Sequence, residues 1–297
     1  MPFKPVIPRN ADMTECRPVE NHAPSLLPKD KKWQMIWNDE FDLAHLDESK
    51  WMYRLNFWGK RHGGFGTEGV HCEDSCLHID LVKDENDEFT SAHLQTGSLI
   101  YDEPKESSGF WPFGQIRKPL FMHRYGYYEI RCKLPHGGGW HAAFWLQSPS
   151  IGAHPDPAQC GVECDIMESY RVLKYNEIVC GCLWNGYGKD AGSYGHFSYP
   201  VGDGIDGWHY YGVDWSRDGY IFYADGMEVG RQMAPECAVS DVDQFILVST
   251  ECAGYARNFP MNEPGYKGPG HAAPALYKAY PDSFIVDHVR VFDEVKS

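Results

Sequence analysis

A strict alternation of apolar and polar side chains near the middle of the chain constrains the fold most. Tyr128, Ile130 and Cys132 alternate there with Glu129 and Arg131. A period of two is that of a β-strand, in which successive side chains point to opposite faces of a sheet. This segment is therefore predicted to be a strand with one face in a hydrophobic core.

Comparable patterns recur along the chain. Residues 211–215 alternate again, and a Ser-Arg-Asp-Gly turn then leads into the apolar residues 220–224. The Asp225-Gly226 pair that follows is a strong signal for a tight β-hairpin. Residues 244–250 and 284–292 are typical of further buried strands. Because no long stripe of helical period is present, we predict an all-β sandwich with few and short helices.

The 297 residues are predicted to form one domain behind an N-terminal arm. Residues 1–32 mix Pro, Asn, Asp, Glu and Lys without periodicity, and we expect an extended arm there, with regular structure beginning near Trp33. Residues 33–297 contain neither a repeat nor a linker, and sandwiches of this size are commonly single domains. The Gly-, Pro- and Ala-rich stretch 252–283 is long for a connection, which is typical of a loop that borders a functional site.

The charge balance excludes some classes of partner. Acidic residues number 42 against 27 basic ones, for a formal net charge of −15. Binding to nucleic acid or to an anionic membrane needs clustered Lys and Arg, so we expect neither partner. A mean hydropathy of −0.49 fits a soluble folded protein, and no apolar run is long enough to span a bilayer.

Ten cysteines raise the question of the redox compartment. Several lie inside strand-like runs, where a cysteine behaves as a small buried hydrophobe. We expect reduced thiols and no zinc site, since the Cys72 and Cys76 pair has no second pair at suitable spacing. The sequence begins without a signal-peptide pattern, which favours a cytoplasmic location. Secretion after removal of a leader is the alternative.

Three familiar catalytic or binding motifs are excluded. Residues 64–69 match G-x-G-x-x-G, but strand-like segments follow them where a dinucleotide fold requires a helix. The 14 histidines form no H-E-x-x-H pattern, and no G-x-S-x-G elbow is present. Nucleotide binding, zinc-protease chemistry and serine-hydrolase chemistry therefore have no support.

The most informative segment carries three carboxylates within six residues: Glu163, Asp165 and Glu168. On a helix the two glutamates would point about 140° apart. On a regular strand Glu163 and Asp165 share one face while Glu168 lies on the other. One extra residue, a β-bulge near Ile166-Met167, would return Glu168 to the first face. All three acids would then point into one cleft.

That arrangement matches the chemistry of glycosidic bond cleavage. The two glutamate backbones would lie roughly 13 Å apart. Side chains leaning toward each other can close that to the roughly 5–5.5 Å typical of retaining glycosidases. Like charges in close quarters push their pKa values apart, so that one acid is ionised and its neighbour protonated. The alternative is a solvated acidic strand face, which three acids alone would not exclude.

These residues resemble the E-x-D-x-x-E signature of glycoside hydrolase family 16, in the bulged form of its laminarinase-, agarase- and carrageenase-like members. Four other segments are similar to family motifs and occur in the same order. They are Trp37-Asn38-Asp39-Glu40-Phe41-Asp42, Tyr125-Gly126-Tyr127-Tyr128-Glu129-Ile130-Arg131-Cys132-Lys133-Leu134-Pro135, Ala143-Phe144-Trp145-Leu146 and Val286-Asp287-His288-Val289-Arg290-Val291. The resemblance implies a concanavalin-like β-jelly roll of two curved antiparallel sheets, with residues 33–297 as a single catalytic domain.

The resemblance also implies roles for individual residues. Glu163 matches the nucleophile, Glu168 the general acid/base, and Asp165 an assisting acid that hydrogen-bonds the nucleophile. The substrate-binding residues expected on the same basis are Trp145, Trp184, Trp140, His141, Asn56 and Trp58. The chain departs from a common Trp-Pro-Ala-Phe-Trp pattern, since it has His141-Ala142-Ala143-Phe144-Trp145, so that the first Trp is either replaced or displaced to Trp140. That departure leaves the identity of the glycan open.

We therefore expect a retaining endo-β-glycosidase that acts on a β-1,3-glucan-like polysaccharide or oligosaccharide or on a β-galactan. The alternatives are a transglycosylase on the same glycans and a lectin-like sandwich that binds without cutting. The lectin alternative has no use for an apposed acid pair. No cofactor is expected, and a structural calcium ion has no support in the sequence. We expect a monomer whose partner is the glycan.

Overall fold

The computed structural model describes residues 13–57, 60–99, 102, 117–169, 177–186, 189–193, 197–200, 207–255 and 263–296. In chain order the strands are β1 Thr14–Val19, β2 His22–Pro28, β3 Trp33–Asp39, β4 Met52–Tyr53, β5 Asn56–Phe57, β6 Lys60–Arg61, β7 Val70–Glu73, β8 Cys76–Asp80, β9 Val82–Lys83, β10 Phe89–Thr90, β11 His93–Gln95, β12 Gly126–Lys133, β13 Trp140–Gln147, β14 Glu163–Ser169, β15 Glu177–Trp184, β16 Gly192–Ser193, β17 Phe197–Pro200, β18 His209–Ser216, β19 Gly219–Ala224, β20 Met227–Met233, β21 Phe245–Cys252 and β22 Ser283–Glu294. The helices in these ranges are a 3₁₀ turn, Pro157–Gln159, and α1, Pro274–Ala279.

Two eight-stranded antiparallel sheets form the body of the molecule. The front sheet has the order β16-β15-β14-β13-β21-β11-β4, with β17 also paired to β15. The back sheet has the order β20-β19-β18-β12-β22-β8-β7, with β3 also paired to β22. The predicted all-β jelly roll of two antiparallel sheets is confirmed, and so is the scarcity of helix in the described residues.

One hydrophobic cluster joins the inner faces of both sheets. Phe144 and Leu146 enter it from β13, while Tyr128 and Ile130 enter it from β12, and all four are fully buried. Burial of a large apolar side chain is worth about 1.5–3 kcal/mol, so each alternating strand is held by one apolar face. The opposite face of the front sheet is thereby left for polar side chains.

The predicted hairpin at Asp225-Gly226 connects β19 and β20. Both residues have positive φ angles, 47° and 76°. Turns with two such residues match the twist of the strands that they connect, which is why Asp-Gly is favoured there. The prediction from the sequence is confirmed.

The N-terminal arm differs from the expectation for residues 1–32. Strands β1 and β2 form an antiparallel hairpin, and Asn21 takes a φ of 62° in its turn. Regular structure thus begins well before Trp33, although residues 1–12 lie outside the described ranges. Leu27 of this hairpin is fully buried, and the Leu26 amide donates a hydrogen bond of 2.8 Å to Glu129. The prolines hid this strand pair because they interrupt the alternating pattern.

The ten cysteines are all free thiols in this structure, as expected, and eight of them are buried.

In the described part of the chain, no helix combines the length and the apolar character that a membrane span needs.

A buried arginine of the back sheet pairs with Glu40 and also contacts the N-terminal hairpin. Arg290 of β22 is fully buried and donates two hydrogen bonds to Glu40, at 2.7 and 2.8 Å. Its third nitrogen donates to Ser25 Oγ of β2 at 2.8 Å. Burial by itself would raise the pKa of Glu40, but the hydrogen bonds from Arg290 and Asn38 outweigh burial and hold that pKa below its usual value.

We expect Arg290→Met to lower the free energy of unfolding by about 3–5 kcal/mol, because it leaves Glu40 buried without its cation. Urea denaturation at neutral pH measures this loss. The matched control is Arg231→Met, which removes an equally bidentate but exposed pair with Glu228 and should cost about 0–1 kcal/mol. Equal small losses in both variants would contradict the assigned role of the buried pair.

Candidate active site

The register of β14 against its neighbours contains the predicted bulge. Asp165 lies opposite Gly181 of β15 and Glu168 lies opposite Val179, so Ile166 and Met167 together occupy the place of one residue. The pairing with β13 shifts at the same point. A bulge inserts one residue and thereby changes which face the following side chains use. The expectation of a bulge near Ile166-Met167 is confirmed.

The bulge separates β14 into apolar and acidic faces. Cys164, Ile166 and Met167 enter the core between the sheets. The three acids lie on the opposite side, which we call the front face because it is the outer face of the front sheet. Glu168 is 8% exposed and Asp165 is 4% exposed, whereas Glu163 is half-buried. Acids that are this little exposed are held by protein contacts and not by bulk water.

Glu163 is held by a neighbour on β13. Gln147 is fully buried, and its Nε2 donates a hydrogen bond of 2.8 Å to Glu163 Oε2. An amide donor that is itself fixed by burial restricts the rotation of the carboxylate. The sequence analysis missed Gln147. The signal was available, because Gln147 continues the alternation of His141, Ala143 and Trp145 along the strand.

Glu168 is in contact with a histidine. His141 Nε2 lies 3.2 Å from Glu168 Oε1, and the two side chains are only 12% and 10% exposed. The strands place them diagonally, since Ala143 is the residue directly opposite Glu168. The structure therefore places His141 at the site. There it contacts Glu168, whereas the sequence analysis expected it to bind substrate.

Asp165 lies between the two glutamates along the strand. Burial is the largest cause that raises its pKa well above the usual value, and the charges of Glu168 and Glu163 add to the effect. A carboxyl group whose charged form is disfavoured by burial and by like charges keeps its proton at higher pH. The site thus combines a carboxyl group that tends to stay protonated with two glutamates on the same face.

Trp145 borders these acids on the front face. It lies opposite Asp165 across the strand pair, is half-buried, and donates a hydrogen bond of 3.0 Å from Nε1 to Ser249 Oγ. The ring of His93, a buried residue of β11, packs against it at a centroid distance of 5.6 Å. Ser249 and His93 were not among the residues predicted from the sequence, because neither lies in a motif.

Two predicted substrate-binding tryptophans lie on the other side of the front sheet. Trp140 is 1% exposed and packs in a small core cluster with Leu276 and Cys252. Trp184 packs against the main core, since its neighbour Leu183 is the residue opposite Glu163. Each residue lies one step out of phase with the acids on an alternating strand, and its role in substrate binding stays a prediction.

The remaining two predictions concern the segment after β4. Asn56 is half-buried in β5 and pairs across a hairpin with Arg61. Its binding role stays a prediction. Trp58 lies outside the described residues. Within the described ranges, no group of three or more His, Cys, Asp or Glu side chains is arranged to hold a metal ion.

Two glutamates lie on the open face of the sheet with an aspartate between them along the strand. Cleavage of a glycosidic bond requires such a pair of carboxyl groups. Fold and site together define a protein of the glycoside hydrolase class. The family model for glycosyl hydrolases family 16 matches residues 113–245. Over this part of the chain the sequence thus resembles glycoside hydrolase family 16.

Relatives of known sequence and structure agree with this assignment. The chain is 27% identical over 209 residues to glucan endo-1,3-beta-glucosidase A1 of Niallia circulans, which covers 65% of this chain and 28% of that protein. It is 24% identical over 278 residues to a beta-glucanase of Rhodothermus marinus, covering 88% and 85% of the two chains. The catalytic domain of an endo-1,3-beta-glucanase (laminarinase) from Thermotoga petrophila superposes with a TM-score of 0.62 at 23% identity, over 90% of this chain and 100% of that one. The chain thus spans little more than a quarter of the Niallia protein but most of the other two.

The raised pKa of Asp165 predicts a pH-dependent effect on stability. The folded state binds the proton of Asp165 more tightly than the unfolded state, where its pKa is about 3.9. The resulting stabilisation is fully present below the unfolded pKa and is lost as pH rises through the folded pKa. We expect Asp165→Asn, which is always neutral, to gain free energy of unfolding relative to wild type as pH rises above about 4.

Urea denaturation of both proteins between pH 4 and 9 measures this difference. The difference should grow with pH and level off above the folded pKa of Asp165. Parallel curves for wild type and Asp165→Asn would contradict the assigned protonation.

Proposed function

We propose that this chain is a retaining endo-β-glycosidase that hydrolyses β-1,3-glucan by double displacement. The observation that carries the proposal is the bulge in β14, which puts Glu163, Asp165 and Glu168 on one face. The choice of β-1,3-glucan rests on the Niallia and Thermotoga relatives, which are named as 1,3-β-glucan hydrolases.

In the first step Glu163 attacks the anomeric carbon. The glycosidic C–O bond breaks, a bond from Glu163 to that carbon forms, and Glu168 gives its proton to the departing oxygen. Gln147 supports this role of Glu163, because its hydrogen bond of 2.8 Å to one carboxylate oxygen holds the side chain in one orientation. General acid catalysis of this kind contributes about 10²–10⁴ in rate.

In the second step Glu168 acts as a base. It takes a proton from water, the water oxygen bonds to the anomeric carbon, and the bond to Glu163 breaks. We assign Asp165 the supporting role that its raised pKa favours, since a protonated carboxyl group can donate a hydrogen bond to a neighbouring glutamate. A proton kept on Asp165 reduces the negative charge that three ionised carboxyl groups would concentrate on one face.

Trp145 is the residue to which we assign sugar contact. It is half-buried beside Asp165, and its indole nitrogen is fixed by Ser249. A ring that is held in place can stack on the flat C–H face of a sugar with little loss of side-chain entropy.

The proposal also covers the setting of the reaction. We propose that the enzyme acts as a monomer in the cytoplasm, needs no cofactor, and binds neither nucleic acid nor membranes.

The test is product release from a panel of laminarin, mixed-linkage β-glucan, agarose, carrageenan and short β-1,3-oligosaccharides. We expect wild type to cleave laminarin. Glu163→Gln should lose at least about a thousandfold in rate and Glu168→Gln about 10²–10⁴ on a natural substrate. The matched control is Glu236→Gln at an exposed glutamate, which should retain wild-type activity.

Sodium azide identifies the two roles separately. With an activated aryl glycoside, Glu168→Ala should form a β-glycosyl azide, because Glu163 still makes the covalent intermediate. Glu163→Ala should form the α-anomer by direct displacement. Products longer than the substrate would favour a transglycosylase. If only a galactan were cleaved, the substrate would be a galactan and not β-1,3-glucan. Binding of a glycan without any cleavage would favour a lectin.

A further inference from the structure

A row of small side chains crosses the front face next to the acids. Glu168 on β14 lies opposite Ala143 on β13, and Ala143 lies opposite Ser249 on β21. Ser249 in turn lies opposite His93 on β11. Three strand spacings, or roughly 14 Å, separate the ends of this row. Because alanine and serine side chains are short, the face is low at Ala143 and Ser249, and we call these two residues the floor.

Larger side chains border the floor on both sides. On one side Trp145 is half-buried and donates its hydrogen bond to Ser249. On the other side Glu251 lies two residues beyond Ser249 on β21, so it points to the same face. Cys252, the next residue, packs with Trp140 on the opposite side of the sheet, in agreement with this alternation. The floor thus has an aromatic residue on one side and an acidic residue on the other.

Glu251 is a half-buried carboxylate that the protein leaves without a donor. Within the described ranges, neither a hydrogen bond nor a salt bridge holds its side chain. Burial lowers the pKa of nearby His62, against the opposing charge of Glu251. Arg54 is directed to Asp102, with which it forms a buried ion pair at 2.8 Å. A carboxylate that has lost part of its water without gaining a donor is ready to accept hydrogen bonds from a ligand.

The far end of the row is polar and uncharged. His93 is 2% exposed, and among the described residues neither of its ring nitrogens has a hydrogen-bond partner. Burial is the largest cause that lowers its pKa well below the usual value, so the imidazole is neutral. His93 therefore offers no positive charge to a ligand that lies on the floor.

We propose that Glu251 is a specificity-determining residue, which accepts hydrogen bonds from hydroxyl groups of a sugar unit that lies on the floor. The proposal rests on the function proposed above. Two strand spacings and two residues along β21 separate Glu168 from Glu251, which puts their backbones roughly 12 Å apart. Glu251 is thus remote from the reacting atoms and contacts a neighbouring sugar unit.

The charge of Glu251 selects between classes of glycan. A carboxylate is purely an acceptor, and hydrogen bonds from hydroxyl groups to a charged acceptor are among the strong ones. A sulfate or carboxylate substituent on the same sugar unit would bring a second negative charge close to a half-buried one, which is unfavourable. The substrate is therefore a neutral glycan at this unit, and glycans that are sulfated there are rejected.

The test compares Glu251→Gln, which keeps the shape and a hydrogen-bonding amide but not the charge, with Glu251→Ala, which removes both. The exposed Glu236→Gln is the matched control. For wild type and the three variants, kcat and KM are measured on laminarin and on laminarin that carries sulfate groups. Circular dichroism of each variant checks folding.

For Glu251→Ala we expect KM on laminarin to rise about tenfold with a smaller change in kcat, because the lost contact is remote from the reacting atoms. Glu251→Gln should raise kcat/KM on sulfated laminarin relative to laminarin about tenfold, since it removes the repelling charge. Glu236→Gln should keep the wild-type values. An unchanged KM in Glu251→Ala would overturn the proposal, as would an unchanged preference in Glu251→Gln.

A binding measurement separates this proposal from the proposed function. Laminarihexaose is titrated calorimetrically into Glu163→Gln and into the double variant that also carries Glu251→Ala. We expect the second substitution to weaken binding about tenfold. Such a loss, in a protein that cleaves no glycan, would uphold the role of Glu251 and reject the proposed function. Cleavage of laminarin by wild type with equal affinities in the two variants would do the reverse.

Discussion

The site depends on one constraint, which is that a β-strand can bury only every second side chain. In β14 this rule would place Glu163 and Glu168 on opposite faces of the front sheet. The pairing with Val179 and Gly181 shows a β-bulge, in which Ile166 and Met167 together take the place of one residue. The bulge brings Glu168 back to the face of Glu163. Both of these side chains are buried in the core. The apolar packing that stabilises the bulge is thus the same packing that turns Glu168 toward its partner acids.

Three carboxyl groups on one poorly exposed face are electrostatically unfavourable, and the neighbouring strands show how the structure accommodates them. On β13, Gln147 donates to Glu163 and His141 contacts Glu168. Burial and the charges of Glu168 and Glu163 raise the pKa of Asp165 well above its usual value, so this acid avoids charge by keeping its proton. Each acid therefore meets a different environment, and different environments are what separate a nucleophile from an acid.

Much of this arrangement could be predicted from the sequence, because it follows from a period of two. The strands, the Asp225-Gly226 hairpin and the bulge at Ile166-Met167 all came from local patterns and are present in the structure. Nearness to a motif is a weaker guide to position. Trp140 adjoins the site residue His141 in sequence, but its buried side chain lies on the face of the sheet opposite to the acids. Contacts between strands distant in sequence, such as that of Trp145 with His93 of β11, have no local signal at all.

Position 141 illustrates how one strand position sets the surroundings of a single acid. His141 offers a compact ring whose Nε2 lies 3.2 Å from Oε1 of Glu168. Glu251 opposite His141 and the neutral His93 beside it make this part of the face polar. The residue to which we assign sugar stacking, Trp145, lies two positions further along β13 beyond Ala143, and Ser249 accepts a hydrogen bond from its indole nitrogen. Glu168 thus has a histidine at close range while Glu163 has a neutral amide donor, and this difference in surroundings distinguishes the two glutamates to which the proposed double displacement assigns different roles.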